Sequence, residues 1–110
     1  MSDTVFEKIV RREIPADIVY EDDDVLGFLD RNPKAPTHVL FVPKHVSIPS
    51  ALDLTKENAF VVGQLFLAAK NFAAQQGMDG YRLQVNVGKG GGQEVFYLHV
   101  HFQSQEKMKK

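Results

Sequence analysis

The sequence predicts an α+β domain in which five antiparallel strands accompany one short and one long helix. Three observations predict it. Lys56 to Gln76 carries apolar residues at helical spacing, several shorter runs alternate with period two, and an acidic turn joins two of those runs closely. At 110 residues the chain suits one core, expected over residues 1–102, with 103–110 as a polar tail. No internal repeat, low-complexity segment or interdomain linker interrupts it.

The elements follow in order. Thr4 and Glu7 have the spacing of a capping box, hydroxyl at the cap and carboxylate three residues on, so a short helix is predicted from Val5 to Arg11 with Phe6, Ile9 and Val10 on its apolar face. Pro15 ends it. Ile18 to Glu21 and Val25 to Leu29 read as a hairpin around Asp22-Asp23-Asp24, a solvated turn rather than a calcium loop, since no bidentate ligand follows at the required position. Asp30 closes the second strand, where an isolated acid is usually a cap or turn former. Two prolines make Asn32 to Pro36 a loop. Thr37 to Val42 is the third strand and His38 begins it, a place where a histidine is more often structural than a ligand. His45 reads as a surface residue.

The long helix is predicted over Lys56 to Gln76. Val62, Phe66, Ala69 and Ala73, with Val61, Leu65, Ala68 and Phe72 one step round, give a broad apolar face suited to burial against a sheet, and Phe60, Phe66 and Phe72 read as core. Gly77 is the natural left-handed cap. Tyr81 to Val87 forms a fourth strand, with Tyr81, Leu83, Val85 and Val87 on one face and Arg82, Gln84 and Asn86 on the other. Asn86 serves a turn or, beside a glycine loop, holds a phosphate oxygen.

The stretch with most chemistry runs from Gly90 to Phe102, a glycine loop passing into an alternating run. Strand periodicity puts Tyr97, His99 and His101 on one face and Phe96, Leu98, Val100 and Phe102 on the other. Same-face neighbours lie ~7 Å apart, so two imidazoles can converge on one anionic group. Gly88, Gly90, Gly91 and Gly92 can take positive φ and bring backbone N–H groups to a ligand, the makings of a phosphate site.

Composition narrows the partners. A net charge of −1 argues against a nucleic-acid grip made by bulk charge, and no apolar run reaches the ~20 residues of a membrane span. The N-terminus lacks the layout of a signal peptide, so a cytoplasmic address is expected. The chain contains no cysteine, so any metal would rest on histidine and carboxylate. His38, His99 and His101 permit a zinc site by spacing, although no carboxylate is clearly placed to complete it.

The run Gly92-Gln93-Glu94-Val95-Phe96-Tyr97-Leu98-His99-Val100-His101 resembles the histidine triad motif, His-φ-His-φ-His-φ-φ, of the HIT superfamily, in its Hint branch of nucleoside phosphoramidases. Ile14-Pro15-Ala16, Phe28-Leu29-Asp30, Asn32 to His38, Val42-Pro43-Lys44 and Gly80-Tyr81-Arg82 through Asn86 follow the family's order, so the resemblance covers nearly the whole chain. Two features depart from it. Tyr97 stands where the family has its first triad histidine, and Phe102-Gln103-Ser104-Gln105 replaces Leu-Gly-Gly-Arg and a longer tail that shapes the leaving-group side of the pocket.

What the resemblance implies is specific. The fold would be HIT-like and the protein a symmetric homodimer acting on a purine nucleotide or nucleoside phosphoramidate, with no cofactor required. His99 would attack the phosphorus and carry a nucleotidyl intermediate, His101 would contact the phosphate or move a proton, and His38 would lie beside the triad. Phe6, Ile9 and Phe28 would wall the nucleobase pocket, Asp30 would bind the ribose, and Asn86, Gly92, Gln93, Glu94 and Val95 would complete the nucleotide site. Side chains of Gln93 and Asn86 and N–H groups of the Gly92 loop would stabilise phosphoryl charge. Tyr97 can donate a hydrogen bond but carries no positive charge near neutral pH, so a role needing imidazolium is lost. The alternative is a catalytically weak or inactive nucleotide-binding dimer, acting as a sensor or partner-binding module.

Overall fold

The computed structural model describes residues 3–109. Helix α1 (Val5–Val10) opens the fold, followed by β1 (Ile18–Glu21), β2 (Val25–Leu29) and β3 (Thr37–Pro43); α2 (Phe60–Gln76) then leads to β4 (Arg82–Gln84) and β5 (Val100–Ser104). The strands form one antiparallel sheet in the order β1-β2-β3-β5-β4. This is the predicted α+β architecture, and among the described residues no helix is long and apolar enough to cross a membrane.

Central position explains the burial of β3, which is buried at every residue. Val39 and Phe41 face α2 in a cluster with Leu65, Phe72, Val100 and Phe102. Leu40 and Val42 face the other way, toward Phe6, Ile9, Phe28 and Tyr97. At Gly27, paired with Phe41 across β2 and β3, a Cβ would lie 2.8 Å from the Phe41 ring, so glycine leaves room for that ring.

Local chemistry sets the ends. Thr4 and Glu7 form the reciprocal capping box at α1. The helix stops at Val10, one residue short of prediction and well before Pro15, because Arg12 adopts a left-handed φ of 63°. In the hairpin turn Asp22 Oδ1 accepts from the N–H groups of Asp24 and Val25, each at 2.8 Å, as an Asx turn does. His45 is exposed, with Nε2 2.6 Å from the Asp23 carbonyl.

Other boundaries correct the sequence reading. Helix α2 begins at Phe60, not Lys56: Thr55 and Asn58 cap each other around a separate turn (Thr55 N–H to Asn58 Oδ1 at 2.7 Å, Asn58 N–H to Thr55 Oγ1 at 3.3 Å), and the N–H groups of Val61 and Val62 then donate to the i−3 carbonyls of Asn58 and Ala59 rather than in the α pattern. Its buried stripe is Val61, Leu65, Ala68, Ala69, Phe72 and Ala73, so Phe60 and Phe66 are not core residues; they are 61% and 42% exposed. A helix lying on a sheet buries one stripe, narrower than the face its composition offered. Gly77 caps it at φ 68°.

Strand β4 is only Arg82–Gln84, because the chain then turns into a 3₁₀ turn at Lys89–Gly91. Strand β5 starts at Val100, later than expected, and runs on to Ser104. The segment predicted as a polar tail over 103–110 is therefore not simply frayed at residues 103–106; Lys110 lies outside the described residues. Gln103 and Ser104 pair with β3, and the Glu106 carboxylate accepts from the N–H groups of Asp79 and Gly80. Phe96, expected to pack beside Leu98, is 43% exposed, since the segment before Val100 has left the sheet.

Candidate functional site

On the face of the sheet away from α2 lies a cavity of about 880 Å³. Phe6 and Ile9 from α1, Phe28 and Asp30 from the end of β2, Leu40 from β3, the segment Gly92 to Val95, Asn86, and His99 and His101 all border it. That volume is in the range of nucleotide-sized ligand sites. Its apolar end is built by α1 packing on β2: the Phe6 and Phe28 rings meet edge-on at 5.4 Å.

The histidines converge at the other end. His99 Nδ1 lies 2.7 Å from the Tyr97 carbonyl, which can only accept, so Nδ1 carries the proton and Nε2 the lone pair. His38 Nδ1 accepts from the Lys34 N–H at 3.0 Å, so its Nε2 carries the proton. That Nε2–H reaches His101 Nδ1 at 3.0 Å and lies 3.4 Å from Asp30 Oδ2. His101, accepting at Nδ1, keeps Nε2–H as its free donor. One neighbour therefore offers a lone pair and the other a proton. His99 and His101 are 5.0 Å apart between ring centroids, and Phe6 stands edge-on to His99 at 5.0 Å.

Burial favours the neutral forms. Desolvation lowers the pKa of His38 and of His99, and it pushes His101 down to about 4, helped by repulsion from His99 and His38 and opposed by Asp30. All three are neutral imidazoles at pH 7. Asp30 holds the loop at the cavity edge, its Oδ1 accepting from the Asn32 N–H at 2.8 Å.

The glycine loop behaves differently from expectation. Gly92 N–H donates to the Lys89 carbonyl and Gln93 N–H to the Gly88 carbonyl, each at 3.0 Å, while Asn86 Nδ2 donates to the Gly91 carbonyl at 2.8 Å. Gln93 is buried and fully engaged: Oε1 accepts from Gly88 N–H, and Nε2 donates to the carbonyls of Pro49 and Val95. Both of its amide hydrogens hold the loop and neither is left for a ligand. Among the described residues the N–H groups of Glu94 and Val95, on the cavity wall, donate to no protein acceptor. The free N–H groups thus sit two and three residues after the Gly92 position.

Tyr97 does not border the cavity. It is 2% exposed, packed among Phe6, Ile9, Leu26 and Val42, with its hydroxyl donating to the Pro43 carbonyl at 2.6 Å. Burial and the nearby Glu7 charge push its pKa up to about 12. Further cavity residues, Arg31, Asn32 and Leu40, were not singled out from sequence. Period-two alternation from His38 was the available signal for Leu40.

Asp30, His38 and His101 place one ligand atom each within 4.8 Å of one another. Two imidazoles and a carboxylate are donors that zinc takes, with Asp30 in the place that the sequence reading gave to His99. His38 Nε2 would first have to lose its proton.

The α+β fold thus carries a cavity of nucleotide size, walled by an aromatic pair and ending in two adjacent neutral imidazoles. A family profile described as scavenger mRNA decapping enzyme C-terminal binding matches residues 3–110. The chain is 52% identical over 100 residues to an uncharacterised HIT-like protein of Synechococcus elongatus, covering 90% of this chain and 87% of that one. It is 46% identical over 101 residues to a purine nucleoside phosphoramidase of Escherichia coli, covering 90% and 84%. The crystal structure of a HIT family hydrolase from Legionella pneumophila superposes with a TM-score of 0.88 at 38% identity, covering 97% and 96% of the two chains. The protein belongs to the histidine triad family. Zinc appears in the name of some relatives, among them a 14 kDa zinc-binding protein of Zea mays, 43% identical over 109 residues that cover 97% of this chain and 85% of that one.

Proposed function

We propose that the protein hydrolyses the P–N bond of purine nucleoside 5′-phosphoramidates through a nucleotidyl intermediate on His99. The observation that carries this is the bond from His99 Nδ1–H to the Tyr97 carbonyl, which leaves the Nε2 lone pair on a histidine bordering the cavity. The likeness to a purine nucleoside phosphoramidase supports the substrate class.

The base lies between Phe6, Ile9 and Phe28, and Asp30 accepts from the ribose hydroxyls. His99 Nε2 attacks the α-phosphorus; a P–N bond forms to the imidazole and the substrate P–N bond breaks. The nitrogen departs as the neutral amine with a proton taken from solvent, while His101, oriented by His38 from the other side of the ring, donates its Nε2–H as a hydrogen bond to a phosphoryl oxygen. Glu94 and Val95 N–H groups stabilise the charge gathering on the phosphoryl oxygens. Water then cleaves the His99–phosphorus bond, losing a proton to solvent, restoring neutral His99 and releasing the nucleoside monophosphate. Were zinc bound at Asp30, His38 and His101, it would supply Lewis-acid stabilisation there and displace the proton that His38 gives to His101.

A homodimer is part of the proposal. Leu52, Phe60 and Leu67 are 72%, 61% and 59% exposed, and a second copy of the chain would cover them.

The test is hydrolysis of adenosine 5′-phosphoramidate by the wild type and by His99→Ala, with and without chelator. Turnover unaffected by chelator and reduced at least about a thousand-fold by the substitution is expected. AMP binding without turnover would instead favour a nucleotide-binding module, and turnover lost in chelator a zinc-dependent site.

A further inference from the structure

We propose that Tyr97 is a positioning residue, whose buried hydroxyl latches to Pro43 and so holds the carbonyl that fixes the tautomer of His99. The inference rests on the reading of His99 as nucleophile, but its geometry is independent of turnover.

The segment from Gly92 to His99 lies outside the sheet, because β5 starts only at Val100. Its carbonyls are therefore not aligned by a strand ladder, and side chains must place them. Three anchors do so. The Gln93 side chain ties the start of the segment to Pro49 and Gly88, Leu98 N–H donates to the Ile48 carbonyl at 2.6 Å, and the Tyr97 hydroxyl reaches the Pro43 carbonyl at the end of β3 at 2.6 Å. Only the last acts through the residue whose own carbonyl receives His99 Nδ1–H. The Phe6 ring stands edge-on to both Tyr97, at 6.4 Å, and His99, at 5.0 Å, so the two side chains share one wall.

Turning the Tyr97 carbonyl away would remove the acceptor that keeps the proton on Nδ1. The proton would then distribute over both ring nitrogens, and a ring protonated at Nε2 has no lone pair toward the cavity. A histidine at position 97 has a shorter ring and cannot reach the Pro43 carbonyl from the same Cα. The tyrosine thus does by length and burial what no charge at this position is needed for.

Nitrogen-15 NMR of the histidine side chains, kcat and AMP affinity would be measured on the wild type, on Tyr97→Phe, and on protein with 4-aminophenylalanine at position 97, which restores a donor at similar reach. Wild-type His99 is expected as the Nδ1–H tautomer. Tyr97→Phe should show a mixture of tautomers, with kcat lowered about tenfold and AMP affinity unchanged, and the amino analogue should restore both. Tyr97→Phe with a wild-type tautomer and kcat, even if less stable, would overturn the proposal. Should Tyr97→Phe not fold, the amino analogue decides: an Nδ1–H tautomer with wild-type kcat supports the latch, and a mixed tautomer refutes it. A wild type with no turnover but the stated tautomers would sink the proposed hydrolase and leave the latch standing.

Discussion

The two faces of the central strand pair solve opposite problems with the same backbone. Toward α2, β3 presents Val39 and Phe41 and β5 presents Val100 and Phe102, and the Phe41, Phe72 and Phe102 rings meet edge-on at 5.2 to 6.1 Å. Toward α1, the alternate positions carry His38, Leu40, His101 and Gln103. On the first face any well-shaped hydrocarbon contributes, since burial is non-directional. On the second each polar atom needs a partner at a set distance, and among the described residues no buried side-chain polar atom lacks one. Register makes this work: His38 faces Gln103 and His101 faces Leu40, so the two histidines are diagonal neighbours and meet ring to ring. A packing face tolerates imprecision that a chemical face does not.

The largest expected effect tests the packing face. Phe41→Ala should cost about 3–5 kcal/mol in denaturant unfolding, because Phe41 is fully buried and β3 is held from both sides. If the loss were below about 1 kcal/mol, the claim that this face carries the stability would fail. Gly27→Ala probes the same ring from β2 and should cost roughly 1–3 kcal/mol, since the new methyl must push the Phe41 ring aside.

The chemical face should reveal itself through pH. His38, His99 and His101 have folded pKa values below the ordinary 6.5, so the unfolded chain binds more protons than the native one as pH falls. Stability is then fully present above about pH 6.5 and declines as pH falls toward about 4, the His101 value. Thermal melts of His101→Gln should show a shallower decline than wild type. An identical slope would mean that His101 does not titrate as its surroundings require.

The smallest effect on the fold is expected at Phe60, outside both faces. Phe60→Ser should change the stability of a single chain by no more than about 0.5 kcal/mol. Sedimentation should nevertheless show weaker self-association. A wild type that sediments as a monomer would remove the dimer from the proposal.

Much of this was legible beforehand. The capping box at Thr4 and Glu7, the Asp22 turn, the cap at Gly77 and the alternation of β3 are local features whose causes lie within a few residues. The triad spacing marked His99 and His101 as neighbours, and family resemblance brought His38 and Asp30 to them. Less could be read where a long-range partner decides. Gln93 looked like a ligand group because its amide is a competent donor, and only the fold shows both of its hydrogens bonded to Pro49 and Val95, whereas Asn86 gives one of its two to Gly91 and still borders the cavity. Phe60 and Phe66 looked like core because composition alone does not say how wide a stripe the sheet will cover.

By itself the sequence determined the element types, the apolar alternation and the chemical groups on offer, since propensity and periodicity act over a few bonds. Tertiary structure decided which atom of each group is free. The Lys34 N–H on a loop fixes the proton of His38, His38 fixes that of His101, and a carbonyl two residues back fixes that of His99. Tyr97 was drawn out of the cavity in the same way, by a carbonyl at Pro43 that lies next to it only once β3 and the segment before β5 have come together. A hydrogen bond is directional and short, so its partner is settled by where the chain finally passes rather than by which residues it contains.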